Sequence, residues 1–178
     1  DKQEEAYAAL QKAVELDAGW ADAEMRFLGW YRYGRFVLEV KGDANLTIEV
    51  IGQIVSQYSD EHNLFAYLSE LYRLLGWALV IQKKFEQSED YFSKAIEMNP
   101  KNVWIYISYG KALFLKNREN IERTISYFDY ALDLDSNNPY VWKSVYSFWD
   151  SVNQPDQVSD VCHKAKVAGV IDMIDLCK

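Results

Sequence analysis

Histidine is scarce in this sequence, and its two copies, His62 and His163, lie far apart with no partner set around either. A general base, or a nucleophile activated by one, works only when such groups are gathered in mutual geometry, so no catalytic constellation is expected. His62 sits in a polar stretch that reads as a helix start, and His163 reads as a surface residue beside a buried cysteine. Cysteine is equally sparse. Cys162 and Cys177 are too few for a disulfide framework and have no metal-ligand set nearby. Both are expected to be reduced thiols, a Cys162–Cys177 bridge being the minor alternative if the tail folds back. Gly29, Gly34, Gly42 and Gly52 are scattered instead of forming a phosphate-binding loop, so neither cofactor nor metal is expected.

Positive charge is also short. Lys and Arg number 19 against 27 Asp and Glu, a formal net charge of -8 that repels a phosphate backbone, so nucleic acid is not an expected partner. Arg26, Arg32, Arg35 and Glu39 interrupt the most apolar early stretch, which leaves no run of the roughly 18 residues a spanning helix needs. Membrane insertion by this chain is therefore not expected. It starts at Asp1 and reads as helix from the outset, so the compartment stays open. Asn45-Leu46-Thr47 fits a glycosylation acceptor, but Asn45 reads more economically as the cap of a helix.

Aromatic residues are abundant: six Trp, thirteen Tyr and eight Phe must either fill gaps between helices or line a gripping surface. Their positions repeat. Tyr72, Tyr106 and Trp142 recur at intervals of 34 and 36; Gly76 and Gly110 at 34; Phe92, Phe128 and Cys162 at 36 and 34; Ala95, Ala131 and Ala165 at the same 36 and 34. Within each unit, apolar residues return at three- and four-residue steps, as in Leu71, Leu74, Leu75, Ala78 and Leu79, which describes two amphipathic helices. Pro100 and Pro139 are expected to close units, because proline cannot donate the hydrogen bond that would continue a helix.

The run Tyr72-x2-Leu75-Gly76-x2-Leu79, followed by Ser88, Phe92, Ala95 and Pro100, resembles the tetratricopeptide repeat signature. That resemblance implies an all-α fold, a right-handed α-α superhelix built as a solenoid of antiparallel helix pairs. Residues 69–102 form the clearest unit. Residues 103–138 keep Tyr106, Gly110, Phe128 and Ala131, with Thr124 at a small-residue position and two extra residues in the turn near Asn117. Residues 139–169 form a degenerate unit with Tyr146 in place of glycine and Cys162 in place of the ring, and 170–178 is a capping tail. Residues 3–17 read as a half repeat of a longer array. Residues 20–60 read as a divergent pair, with a long aromatic helix from Trp20 to Val40 and a second from Leu46 to Tyr58.

The resemblance further implies that the first helices of successive units line a concave surface carrying Arg73, Trp77, Val80, Trp104, Ile107, Ser108, Lys111, Phe114, Lys143 and Ser147. The apolar members would receive an apolar peptide face, and the three cations, read as exposed, an amphipathic partner with acidic residues. Single rings there have an equal claim to be core. Trp77, Ser108 and Tyr140 stand where the family's two-carboxylate clamp needs Asn, Asn and Lys, so binding of chaperone tails is not implied. The expected function is a non-catalytic scaffold for another protein or peptide. The alternative is an accessory region of a larger enzyme, such as a membrane-bound glycan polymerase or a glycosyltransferase. Self-association is a further option, through Val170, Ile171, Ile174 and Leu176 at the end of the array.

Overall fold

A computed structural model describes residues 8, 12, 23–58, 64–119 and 121–177. The half repeat at 3–17, the expected helix start at Trp20, the polar stretch around His62 and Asn120 lie outside the described residues. The chain divides into two compact units, 1–100 and 101–178.

In the first unit, α1 (Ala23–Arg35) runs into a π-helical turn (Phe36–Val40), and α2 (Ala44–Tyr58), α3 (Phe65–Ile81) and α4 (Phe85–Met98) follow. Phe27, Trp30 and Tyr33 of α1 are buried, so these three early aromatic residues are core. Gly34 lets α1 approach α2 and α3: a methyl group placed there would meet the Ile51 side chain at 2.8 Å and Leu74 at 3.3 Å. The long helix does not run straight into its turn, because the π-helical segment closes through Lys41 N–H to the Phe36 carbonyl at 3.2 Å. Asp43, not Asn45, then caps α2, its Oδ1 accepting from Leu46 N–H at 2.9 Å. Asn45 lies inside the helix and accepts a side-chain hydrogen bond from Gln82.

Helices α3 and α4 form the signature pair. Leu68, Leu71, Leu75 and Leu79 of α3 are buried on the faces it presents to its neighbours, and Ser88, Phe92 and Ala95 are the buried residues of α4. Gly76 is the point of closest approach, since a Cβ there would stand 3.0 Å from the Phe92 ring. The hairpin turn closes with Lys83 in the left-handed region (φ 60) and Lys84 N–H donating to the Leu79 carbonyl at 2.9 Å.

The second unit repeats this plan with α5 (Val103–Lys116), α6 (Glu122–Leu134), α7 (Pro139–Ser151) and α8 (Pro155–Val167), then a short 3-10 turn (Ile171–Met173). Gly110 faces the Phe128 ring as Gly76 faces Phe92, more tightly, at 2.6 Å. Asn102 and Asn138 cap α5 and α7, each accepting at 3.0 Å from the backbone two residues on. Pro100 lies beyond the end of α4 as a stop, but Pro139 opens α7, where the missing N–H has no intrahelical partner to lose; α6 has already ended at Leu134. Phe114, Phe128, Phe148 and Trp149 make a ring cluster with centroids 5.2–5.7 Å apart, mostly edge to face. Lys164 ties α8 to α6 through Asp129 at 2.7 Å while pairing with Asp160 at 2.8 Å. Desolvation works to lower its pKa, but the two carboxylates outweigh it and raise it.

The expectation of two reduced thiols is corrected: Cys162 and Cys177 are disulfide-bonded, with Cα atoms 5.5 Å apart. Gly169 (φ 74) turns the chain after α8, and Met173 is then buried at 1% exposure. The tail thus returns over α7 and α8 and brings the two cysteines into reach.

Glycine at the notch and glycine elsewhere have opposite costs. Gly110→Ala is expected to destabilise the chain by about 1–3 kcal/mol through overpacking against Phe128. Gly52→Ala, in α2 where a Cβ meets nothing within 4 Å, is expected to stabilise it by up to about 1 kcal/mol. Urea unfolding of the two variants beside the parent chain measures both; equal effects at the two positions would refute the notch.

Candidate interaction face

The first helix of each pair carries the expected contact residues, and burial divides them. In the first unit, Arg73 of α3 is only 14% exposed and donates to Glu70 Oε2 at 2.8 and 3.0 Å. Its Nη2 also reaches the Tyr31 hydroxyl on α1 at 3.3 Å. The expectation of an exposed cation is therefore corrected at this position. Beside it, Trp77 is half-buried and Val80 is core at 5% exposure. Tyr31 lies under a second cation, with the Arg35 guanidinium 5.7 Å from its ring and Arg35 paired to Glu39 at 2.7 Å. That Glu39 hydrogen bond raises the Arg35 pKa.

In the second unit, Ile107 and Phe114 of α5 are each 2% exposed, so neither offers a surface; Phe114 belongs to the ring cluster. Helical periodicity cannot separate a groove-facing ring from one turned into the layer beneath, and packing takes these two. Ser108 and Lys111 are half-buried, and the Lys111 ammonium stands 5.8 Å from the Phe148 ring centroid on α7. Lys143 is half-buried and Ser147 exposed, both on α7.

Trp104, at 37% exposure, keeps an accessible ring. Tyr140, at 71%, is more exposed still and was not among the expected contact residues. The signal was present in the repeat: Trp104 and Tyr140 are 36 residues apart and each follows its capping asparagine by two, so they occupy one register on α5 and α7. The second helix of the pair presents another ring, Tyr130, at 49% exposure, its centroid 4.6 Å from that of Tyr106 and the planes tilted by 52°. Burial, followed by Tyr130, pushes the Tyr106 hydroxyl up to about 12.

Among the described residues no group of three or more His, Cys, Asp or Glu is placed to hold a metal ion, and no helix is long and apolar enough to cross a membrane.

Residues 69–102 match the family model of the tetratricopeptide repeat. A comparison with curated proteins finds no match. Among solved structures, MamA from AMB-1 is similar at a TM-score of 0.54 and 19% identity, over 99% of this chain and 92% of that one. The two share a fold: an all-α solenoid of tetratricopeptide-like helix pairs. Stacks of such pairs are general scaffolds for protein interaction.

Exposed and buried members of the α5–α7 set should separate cleanly in stability. Tyr140→Ala is expected to change unfolding free energy by no more than about 0.5 kcal/mol, and Trp104→Ala, whose ring is mostly covered at 37% exposure, to cost more, about 1–2 kcal/mol. Phe114→Ala is expected to cost about 3–5 kcal/mol. Chemical denaturation followed by circular dichroism gives all three values, and a large loss at Tyr140 would contradict its placement.

Proposed function

We propose that the chain holds a protein or peptide partner against the first helices of its repeats, without catalysing a reaction on it. The observation that carries this reading is the matched pair Trp104 and Tyr140, two accessible rings in one repeat register, in the same unit as Lys111 and Lys143. Large apolar rings with two degrees of side-chain freedom are efficient contact groups, because little conformational entropy is lost when they are covered. The partner that suits this face is an extended or helical segment with apolar side chains and some carboxylates, the latter drawn to lysines in a chain of net charge -8.

Ser108 and Ser147 supply hydroxyls on the same two helices; Arg73 and Trp77 lie on α3 of the first unit and are a separate candidate surface. Arg73 contributes less as a charge than as a fixed donor, since Glu70 already neutralises it. Ile107 and Phe114 are the buried packing support of α5 in the second unit, and Val80 is that of α3 in the first.

The test is affinity capture from a lysate of the source cells, followed by titration of the captured partner against the parent chain and a Trp104→Ala/Lys111→Glu variant of unchanged helicity. The expected result is binding weakened by about tenfold or more in the variant, with salt weakening the parent complex. Equal affinity for both would remove the face from the account and turn attention to Tyr130 on the second helix.

A further inference from the structure

We propose that the Cys162–Cys177 bond is a redox-operated clasp that fastens the tail over the last helix pair. Two departures from the repeat pattern converge on it. In the first two signature pairs, a glycine of the first helix receives a phenylalanine ring of the second, Gly76 with Phe92 and Gly110 with Phe128. In the third pair the same two register positions hold Tyr146 and Cys162, so neither notch nor ring exists. Both replacements reach the tail instead. The Tyr146 hydroxyl donates to the Leu176 carbonyl at 2.9 Å, and Cys162 is bonded to Cys177. The lost contact within the pair is replaced by two contacts to one segment.

The segment so held is short and has little of its own to hold it. Among its side chains from Ile171 to Leu176 only Met173 is buried; Ile171, Ile174 and Leu176 are 76%, 56% and 42% exposed. Its backbone hydrogen bonds are local, from Met173 to Val170, Ile174 to Ile171, and Leu176 and Cys177 to Met173. Bonds of that kind form a single turn and cannot keep a peptide docked without an anchor. The covalent bond is the strongest anchor, beside buried Met173 and the Tyr146 hydrogen bond.

Both cysteines are half-buried and border solvent-open clefts. Open clefts of about 350 and 510 Å³ each have both cysteines in their walls, one with Tyr146 and Asp150, the other with His163 and Lys166. A small dithiol entering either cleft supplies the two electrons. Its thiolate attacks one sulfur of the bridge, and the other cysteine leaves as a thiolate and takes up a proton. The reductant's second thiol then closes its own disulfide and releases the first cysteine as a thiol. Reduction frees the tail and uncovers the surface that Met173 occupies at the end of α7 and α8.

Amide hydrogen exchange on the whole 178-residue chain, oxidised and then equilibrated with dithiothreitol, tests the clasp. Exchange over residues 171–177 is expected to quicken by at least about tenfold on reduction, while α3 and α4 keep their protection. Cys177→Ser, which leaves the helix pair intact, is expected to show the fast tail with or without dithiothreitol. A Tyr146→Gly/Cys162→Phe variant, which restores notch and ring, is expected to hold its helices and lose the redox response. Alkylation of two thiols before any reductant is added, or equal tail exchange in the two states of the parent chain, would overturn the proposal.

Discussion

Two helices can lie against each other only as closely as their bulkiest facing side chains permit, and in this chain a glycine sets that distance in each signature pair. At Gly76 and Gly110 the backbone of one helix is bare, and a phenylalanine ring of the next occupies the space. Each ring therefore touches main chain, which does not yield as a side chain would. Ala95 and Ala131, fully buried one turn beyond the rings, keep the second helix seated. Leucines and larger rings then fill what remains, and the aromatic cluster around Phe114 and Trp149 is built on the ring that Gly110 admits.

The same constraint explains why the polar residues fall where they do. A helix held at one fixed distance ends where its turn must begin, so capping groups recur in register: Asn102 and Asn138 at the starts, left-handed Lys83 and Asn153 at the hairpin closures. Ionic contacts are secondary. Lys164 with Asp129 and Asp160 joins elements that are already packed, and at their exposure such pairs contribute little to stability.

The repeat was legible because its signals are arithmetic: four residue series keep the same intervals, and glycine, phenylalanine and alanine at those places have one geometric use. Legibility failed where the deciding information was tertiary. Val80, Ile107 and Phe114 share helical spacing with surface residues, and only the neighbouring helices determine which way a ring turns. Asn45 and Asp43 are equally good caps by composition, and the π-helical turn before them selects Asp43. Two cysteines are too few to signal a disulfide framework, and the partner of Cys162 lies 15 residues on, beyond a turn that the periodicity does not describe. Tyr140 stands where the family's clamp needs a lysine, and a departure from a motif carries no sign of how exposed the replacing ring is.

The two signature pairs differ in one respect that the notch makes harmless. Gly76 and Phe92 are separated by 16 residues and Gly110 and Phe128 by 18, yet in both pairs the ring meets the glycine. The extra length is absorbed between Lys116 and Glu122, and among the described residues of that joint none takes the left-handed conformation of Lys83. That joint already carries two residues more than its counterpart without loss of the notch, which makes it the natural port for a grafted epitope, a fluorophore loop or a split-reporter fragment.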